Sequence, residues 1–96
     1  PMYMSIVNAG EVWYILAREI SEAKADRAVA DLTGLGIELI GADWPITRIA
    51  GIFKARYRMS YVDCFAAALA KVRKSDLATG DRAFKQVEGE VGIRWL

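Results

Sequence analysis

Apolar residues follow two rhythms along this chain. Val12, Ile15 and Leu16 share one helical face. Further on, Ala25, Ala28, Val29 and Leu32 repeat the i, i+3, i+4, i+7 spacing of an amphipathic helix. Short apolar blocks follow, IELI at 37–40, LAT at 77–79 and IRWL at 93–96, of a length that suits buried strands. The spacing predicts a helix over 12–19, entered at Asn8, with Glu11 three residues on as in a capping box. Ser21 is placed to cap a second helix that ends near Gly34 or Gly36. After the strand at 37–40, a turn at 41–43 leads to Pro45, which suits the first turn of a helix reaching about residue 57. Ser60 caps a helix over 61–74, and Asp81 caps a short helix to about residue 88. Residues 1–7, PMYMSIV, are apolar and too short to stand alone.

Strands alternating with helices predict an α/β fold, a parallel sheet flanked by helices with right-handed crossovers. The chain holds no repeat, no low-complexity tract and no linker, so residues 1–96 read as a single domain. In such sheets the functional crevice lies at the C-terminal ends of the strands. Asp81 directly follows the strand at 77–79 and so sits at that edge. Asp63 shares the edge if helix 61–74 is the crossover running antiparallel to the strands, with helix 45–57 lying crosswise.

Composition adds a constraint. A chain of 96 residues buries only about 60–65% of its unfolded surface. Yet 54% of these residues are apolar, an excess that points to a partner surface or an oligomer. The alternative is an alanine-rich helical protein. With 13 basic and 12 acidic residues the net charge is +1, so any contact with nucleic acid must come from local patches. The single cysteine, Cys64, lies within an apolar helix and permits no internal disulfide, which suits a reducing cytoplasm. No apolar run reaches membrane-spanning length, and no signal-peptide pattern is present.

Glu11, Asp63 and Asp81 each fall where a helix is expected to begin. Carboxylates gathered at one sheet edge, in a chain without histidine, suit a hard divalent cation such as Mg²⁺ or Mn²⁺. Each also has a plain structural role available. Ser60–Asp63 and Asn8–Glu11 have capping-box spacing, and Asp81 is a good N-cap by itself. Capping does not, however, predict that all three share an edge. Basic residues cluster at Arg48, Lys54, Arg56 and Arg58, and again at Lys71, Arg73 and Lys74. They could neutralise phosphates or form solvated helix faces. Trp13, Tyr14 and Trp44 could stack bases, and packing or a protein interface suits them better.

Three blocks carry a family resemblance: NAGEVWYIL at 8–16, SYVDCFAAALA at 60–70 and LATGDRAFK at 77–85, closed by IRWL. In this order they resemble the PIN-domain ribonucleases, in particular the VapC-type toxins of VapBC toxin–antitoxin pairs. The resemblance implies that Glu11, Asp63 and Asp81 match three of four acidic metal-site positions, and that Thr79 matches the supporting hydroxyl of the T-G-D turn. It implies a Mg²⁺-dependent (or Mn²⁺-dependent) endoribonuclease, an RNA substrate, a VapB-type antitoxin as partner and a cytoplasmic location. PIN domains open with a strand that bears the first acidic residue, and no such strand or residue precedes Pro1. The expectation is therefore a PIN-like sheet lacking the family's first strand, completed as a homodimer or strand-swapped oligomer. On the same ground, an inactive PIN remnant that binds a partner or RNA is the alternative to the nuclease. A receiver-type signalling domain fits less well, because no strand-borne phosphoacceptor precedes the acids.

Overall fold

The computed structural model describes residues 1–96, in two compact units, Pro1–Gly41 and Ala42–Leu96. The first unit contains β1 (Met2–Ser5), α1 (Ile6–Glu19), α2 (Glu22–Gly34) and β2 (Ile37–Ile40). The strands pair in parallel, with Met2 opposite Ile37 and Ser5 opposite Ile40. The two helices form the crossover between them. Strand β1 is where the structure departs from the sequence pattern, which predicts no element over residues 1–7. Ser5 ends the strand in an extended conformation, and its Oγ accepts the Val7 N–H at 3.1 Å. The helix therefore starts at Ile6, six residues earlier than expected, and Ser5 rather than Asn8 is its cap.

Ser21 does cap α2, accepting the Lys24 N–H at 3.1 Å. The buried residues Ala9 and Ala25 belong to α1 and α2, which pack against each other. Trp13 on α1 donates its indole N–H to Asp26 Oδ1 on α2 at 2.8 Å. That bond gives the indole a structural task, in line with the packing reading. The chain leaves α2 through Gly36, whose φ of +89° is costly for any residue with a Cβ.

The second unit contains α3 (Trp44–Arg56), α4 (Tyr61–Arg73), β3 (Leu77–Thr79), a 3₁₀ helix (Arg82–Val87) and β4 (Ile93–Trp95). Asp43 Oδ1 accepts the Ile46 N–H at 3.0 Å and starts α3, with Pro45 in the first turn. Its core is the contact between α3 and α4. Ile46, Ala50 and Phe53 are buried on α3, and Cys64, Phe65, Ala67, Ala68, Leu69 and Ala70 on α4. Alanines at these positions let the helix backbone approach its neighbours closely. Lys74 closes α4 in the left-handed conformation, with the Ser75 N–H bonded back to the Ala70 carbonyl at 3.0 Å. Strands β3 and β4 pair in parallel, Leu77 opposite Ile93 and Thr79 opposite Trp95. Each unit thus carries its own two-stranded parallel sheet. A Cβ at Gly92, just before β4, would meet the Asp76 carboxylate, the end of an exposed side chain that would have to move aside.

Glu90 gathers charge in this unit. Tyr57 donates its hydroxyl to Glu90 Oε2 at 2.7 Å, and Lys71 donates to Oε1 at 3.0 Å. The Arg56 guanidinium lies 3.9 Å away. The hydrogen bonds from Tyr57 and then Lys71 hold the Glu90 carboxyl below its ordinary value, and the Tyr57 bond to Glu90 raises the phenol. A lowered carboxyl favours the folded state above its unfolded value, and that gain vanishes as pH falls through the folded value. Glu90→Gln is therefore expected to be less stable than the parent at neutral pH. The gap should close as pH drops below the ordinary carboxyl value of 4.5. Urea midpoints measured through the acid range test this, and a gap independent of pH would refute it.

Candidate active site

Ser60 ends the loop before α4 in an extended conformation, and its Oγ accepts the Asp63 N–H at 3.1 Å. This is one half of a capping box. The other half, from the Asp63 carboxylate back to the Ser60 N–H, does not form. The half-buried Asp63 carboxylate makes no hydrogen bond or ion pair. Its position in the first turn of α4 is fixed by main-chain bonding, while its oxygens stay uncommitted.

Asp81 is built differently. Thr79 Oγ1 accepts the Asp81 N–H at 3.0 Å, which folds the T-G-D turn. Asp81 Oδ1 in turn accepts the Ala83 N–H at 2.9 Å and caps the 3₁₀ helix. One carboxylate oxygen is thereby engaged, and the other has no partner. Thr79 acts through the main chain of Asp81, as a hydroxyl supporting that turn would.

The second unit therefore carries Asp63, Thr79 and Asp81 on adjoining elements, since α4 packs on both β3 and the 3₁₀ helix. Glu11 belongs to the first unit. The earlier start of α1 puts it in the second turn of that helix instead of at a helix start, so the expected Asn8–Glu11 capping box is absent. Its half-buried carboxylate makes no hydrogen bond or ion pair. One turn before it, Asn8 Oδ1 is buried without a hydrogen-bond partner. An orphaned oxygen of this kind costs about 1–3 kcal/mol, and it marks the neighbourhood of Glu11 as short of a donor or a cation.

In neither unit do three Asp, Glu or Cys side chains gather as a cage for a metal ion. A rigid all-protein site is thus absent within each. Mg²⁺ does not need one, because it keeps several waters and uses one or two carboxylates together with substrate phosphates. The free oxygens of Asp63 and Asp81 are hard donors of that type. Cys64 is buried and its thiol is pushed up by desolvation, so it is an inert core residue.

The basic clusters are partly spent on structure. Lys54 donates to the Met59 carbonyl at 2.8 Å, and Lys71 and Arg56 face Glu90. Arg82 and Lys85, which sequence reasoning passed over, are exposed on the 3₁₀ helix that Asp81 caps. The signal for them was plain adjacency in T-G-D-R-A-F-K. Trp44 is exposed, and Tyr14 lies beneath the Arg18 guanidinium at 5.5 Å. A groove of about 280 Å³ lies at the far end of α4 from Asp63, lined by Lys71, Lys74, Asp76 and Glu90 among others. Its mixed charges suit neither a cation nor a phosphate, and it is separate from the acidic positions.

Among solved structures, the chain is similar to one titled "Crystal structure of VapBC2 from Rickettsia felis bound to a DNA fragment from their promoter". The TM-score is 0.75 at 15% identity, over 96% of this chain and 72% of that one. That likeness establishes the fold. No curated protein matches the chain. Its sequence matches the PIN domain over residues 1–90. With that match over nearly its whole length, the chain belongs to the PIN-domain family.

Proposed function

We propose that this chain is a VapC-type toxin of a toxin–antitoxin pair, an endoribonuclease that hydrolyses RNA phosphodiesters with Mg²⁺ or Mn²⁺. The observation that carries the reading is a pair of half-buried carboxylates, Glu11 and Asp63, with no structural work to do, in a chain of the PIN family. A half-buried acid that bonds nothing adds nothing to the fold, which leaves its retention to another demand. Asp63 and Asp81 would hold the ion, with Glu11 as a further ligand or the holder of a metal-bound water. Bound there, the cation supplies a water of lowered pKa and neutralises charge on the attacked phosphate. Thr79 keeps Asp81 in place through its amide. Arg82 and Lys85 stand beside Asp81 to meet the RNA backbone.

A VapB-type antitoxin is the proposed partner, in the cytoplasm, supported by the family membership and by the fold shared with a VapBC structure. A homodimer or strand-swapped assembly is proposed from Met2, Ile20, Leu35, Trp44 and Leu96, all exposed large apolar side chains. A species of 10.6 kDa in sedimentation equilibrium at micromolar concentration would defeat the assembly. The alternative function, a PIN domain that binds RNA or a partner without cleaving, draws on the absence of a three-carboxylate group within either unit.

Three alanine variants separate the readings. Glu11→Ala and Asp63→Ala remove carboxylates that bond nothing, so stability should stay within about 0.5 kcal/mol of the parent. Asp81→Ala removes a cap and should cost about 0.5–2 kcal/mol. All three should abolish Mn²⁺-dependent cleavage of single-stranded RNA. Millimolar Mn²⁺ should raise the melting temperature of the parent by mass action and leave Asp63→Ala unmoved. Parent protein that binds RNA, ignores Mn²⁺ and cleaves nothing would establish the binding domain instead.

A further inference from the structure

We infer that Gln86 is a positioning residue that locks the Asp63-bearing segment of the second unit to the Asp81-bearing one. Its consequence for the metal site rests on the nuclease reading above; the lock itself does not. The Gln86 side chain reads the main chain of Arg58 at two points. Oε1 accepts the Arg58 N–H at 2.8 Å, and Nε2 donates to the Arg58 carbonyl at 3.0 Å. The same Nε2 donates to the Ala83 carbonyl at 3.0 Å within the 3₁₀ helix. One side-chain amide thus stands in for a strand partner, with both of its polar atoms in use.

The placement gives these bonds their meaning. Arg58 lies in the loop that delivers Ser60, the cap of α4, and Asp63 in the first turn beyond it. Ala83 lies in the helix capped by Asp81, and its own N–H bonds that carboxylate. Gln86 therefore spans the two main-chain segments whose carboxylates are proposed to share one ion. A loop held at one residue by two parallel bonds can neither slide nor twist freely. The Arg58 side chain takes no part in these bonds, and nothing in the local pattern K-Q-V signals them.

The lock is tested by amide hydrogen exchange on Gln86→Ala and on Gln86→Glu. The second variant keeps the shape and the acceptor for the Arg58 N–H but loses both donations, so it serves if the alanine variant does not fold. The N–H groups of Asp63 and Ala83, bonded to Ser60 and Asp81, should exchange roughly tenfold faster. Amides in the middle of α3 and α4 should keep parental rates. Uniform acceleration throughout the unit would mark a plain loss of stability and overturn the inference, as would unchanged rates at Asp63 and Ala83. In Mn²⁺ titrations followed by calorimetry, both variants should bind about 10- to 100-fold more weakly, the usual effect of removing an outer-shell support. Raised Mn²⁺ should then restore cleavage with KM for RNA unchanged. Parental Mn²⁺ affinity in a variant with loosened amides would overturn the functional half. A parent that binds no Mn²⁺ at all would sink the nuclease reading while the exchange pattern still decides the lock.

Discussion

The second unit depends on how closely α4 can be approached. Six of its residues are buried, and three of those are alanines. Alanine loses no side-chain entropy in a helix and presents a low surface, so α3, β3 and the 3₁₀ helix can all lie against the same short element. Phe53, only 1% exposed, fills space that the alanines leave. A helix packed on so many sides cannot rotate, and so the direction of its first turn is fixed. The uncommitted oxygens of Asp63 owe their placement to this core, since the carboxylate has no bond of its own to hold it.

Much of this was legible in the sequence because it rests on local rules. Ser21, Ser60 and Asp81 cap the helices expected of them, and the strands Ile37–Ile40 and Leu77–Thr79 have the expected limits. Strand β1 was not legible. Four residues give too little alternation to read, and the partner that makes them a strand lies more than 30 positions away. Missing β1 carried a second error with it, because Ser5 takes the cap only if a strand delivers it. That error assigned Asn8 and Glu11 to a helix entrance when they lie inside α1.

The acids show the limit of motif spacing in another way. Ser60–Asp63 and Asn8–Glu11 have the same separation, yet neither forms a reciprocal capping box, while Asp81, with no such spacing, caps fully. Spacing says which bonds are possible, and competing donors and helix register decide which form. Likewise, the basic runs looked uniform in sequence. Folding commits Lys54 to a carbonyl and Lys71 to Glu90, and leaves Arg82 and Lys85 exposed beside Asp81. Pairing of this kind depends on Met59 and Glu90 returning to α3 and α4, which no window of sequence contains.

The acids of this fold differ in the demand each places on its neighbours. Glu90 draws a phenol and an ammonium, which lower its pKa and tie β4's approach to the α3–α4 pair. Asp81 serves its own helix with one oxygen and leaves the other free. Asp63 and Glu11 serve nothing within their units, and Asn8 beside Glu11 keeps a buried oxygen without a donor. Local consistency is the rule in sequences that fold to one structure, and departures from it concentrate where another requirement acts. In this chain the departures fall on the residues that the PIN resemblance singles out, with Thr79 and Gln86 spending their hydrogen bonds on holding the main chain around them. Order in this region is built into the backbone, and the oxygens of Asp63 and one oxygen of Asp81 are left without a hydrogen-bond partner.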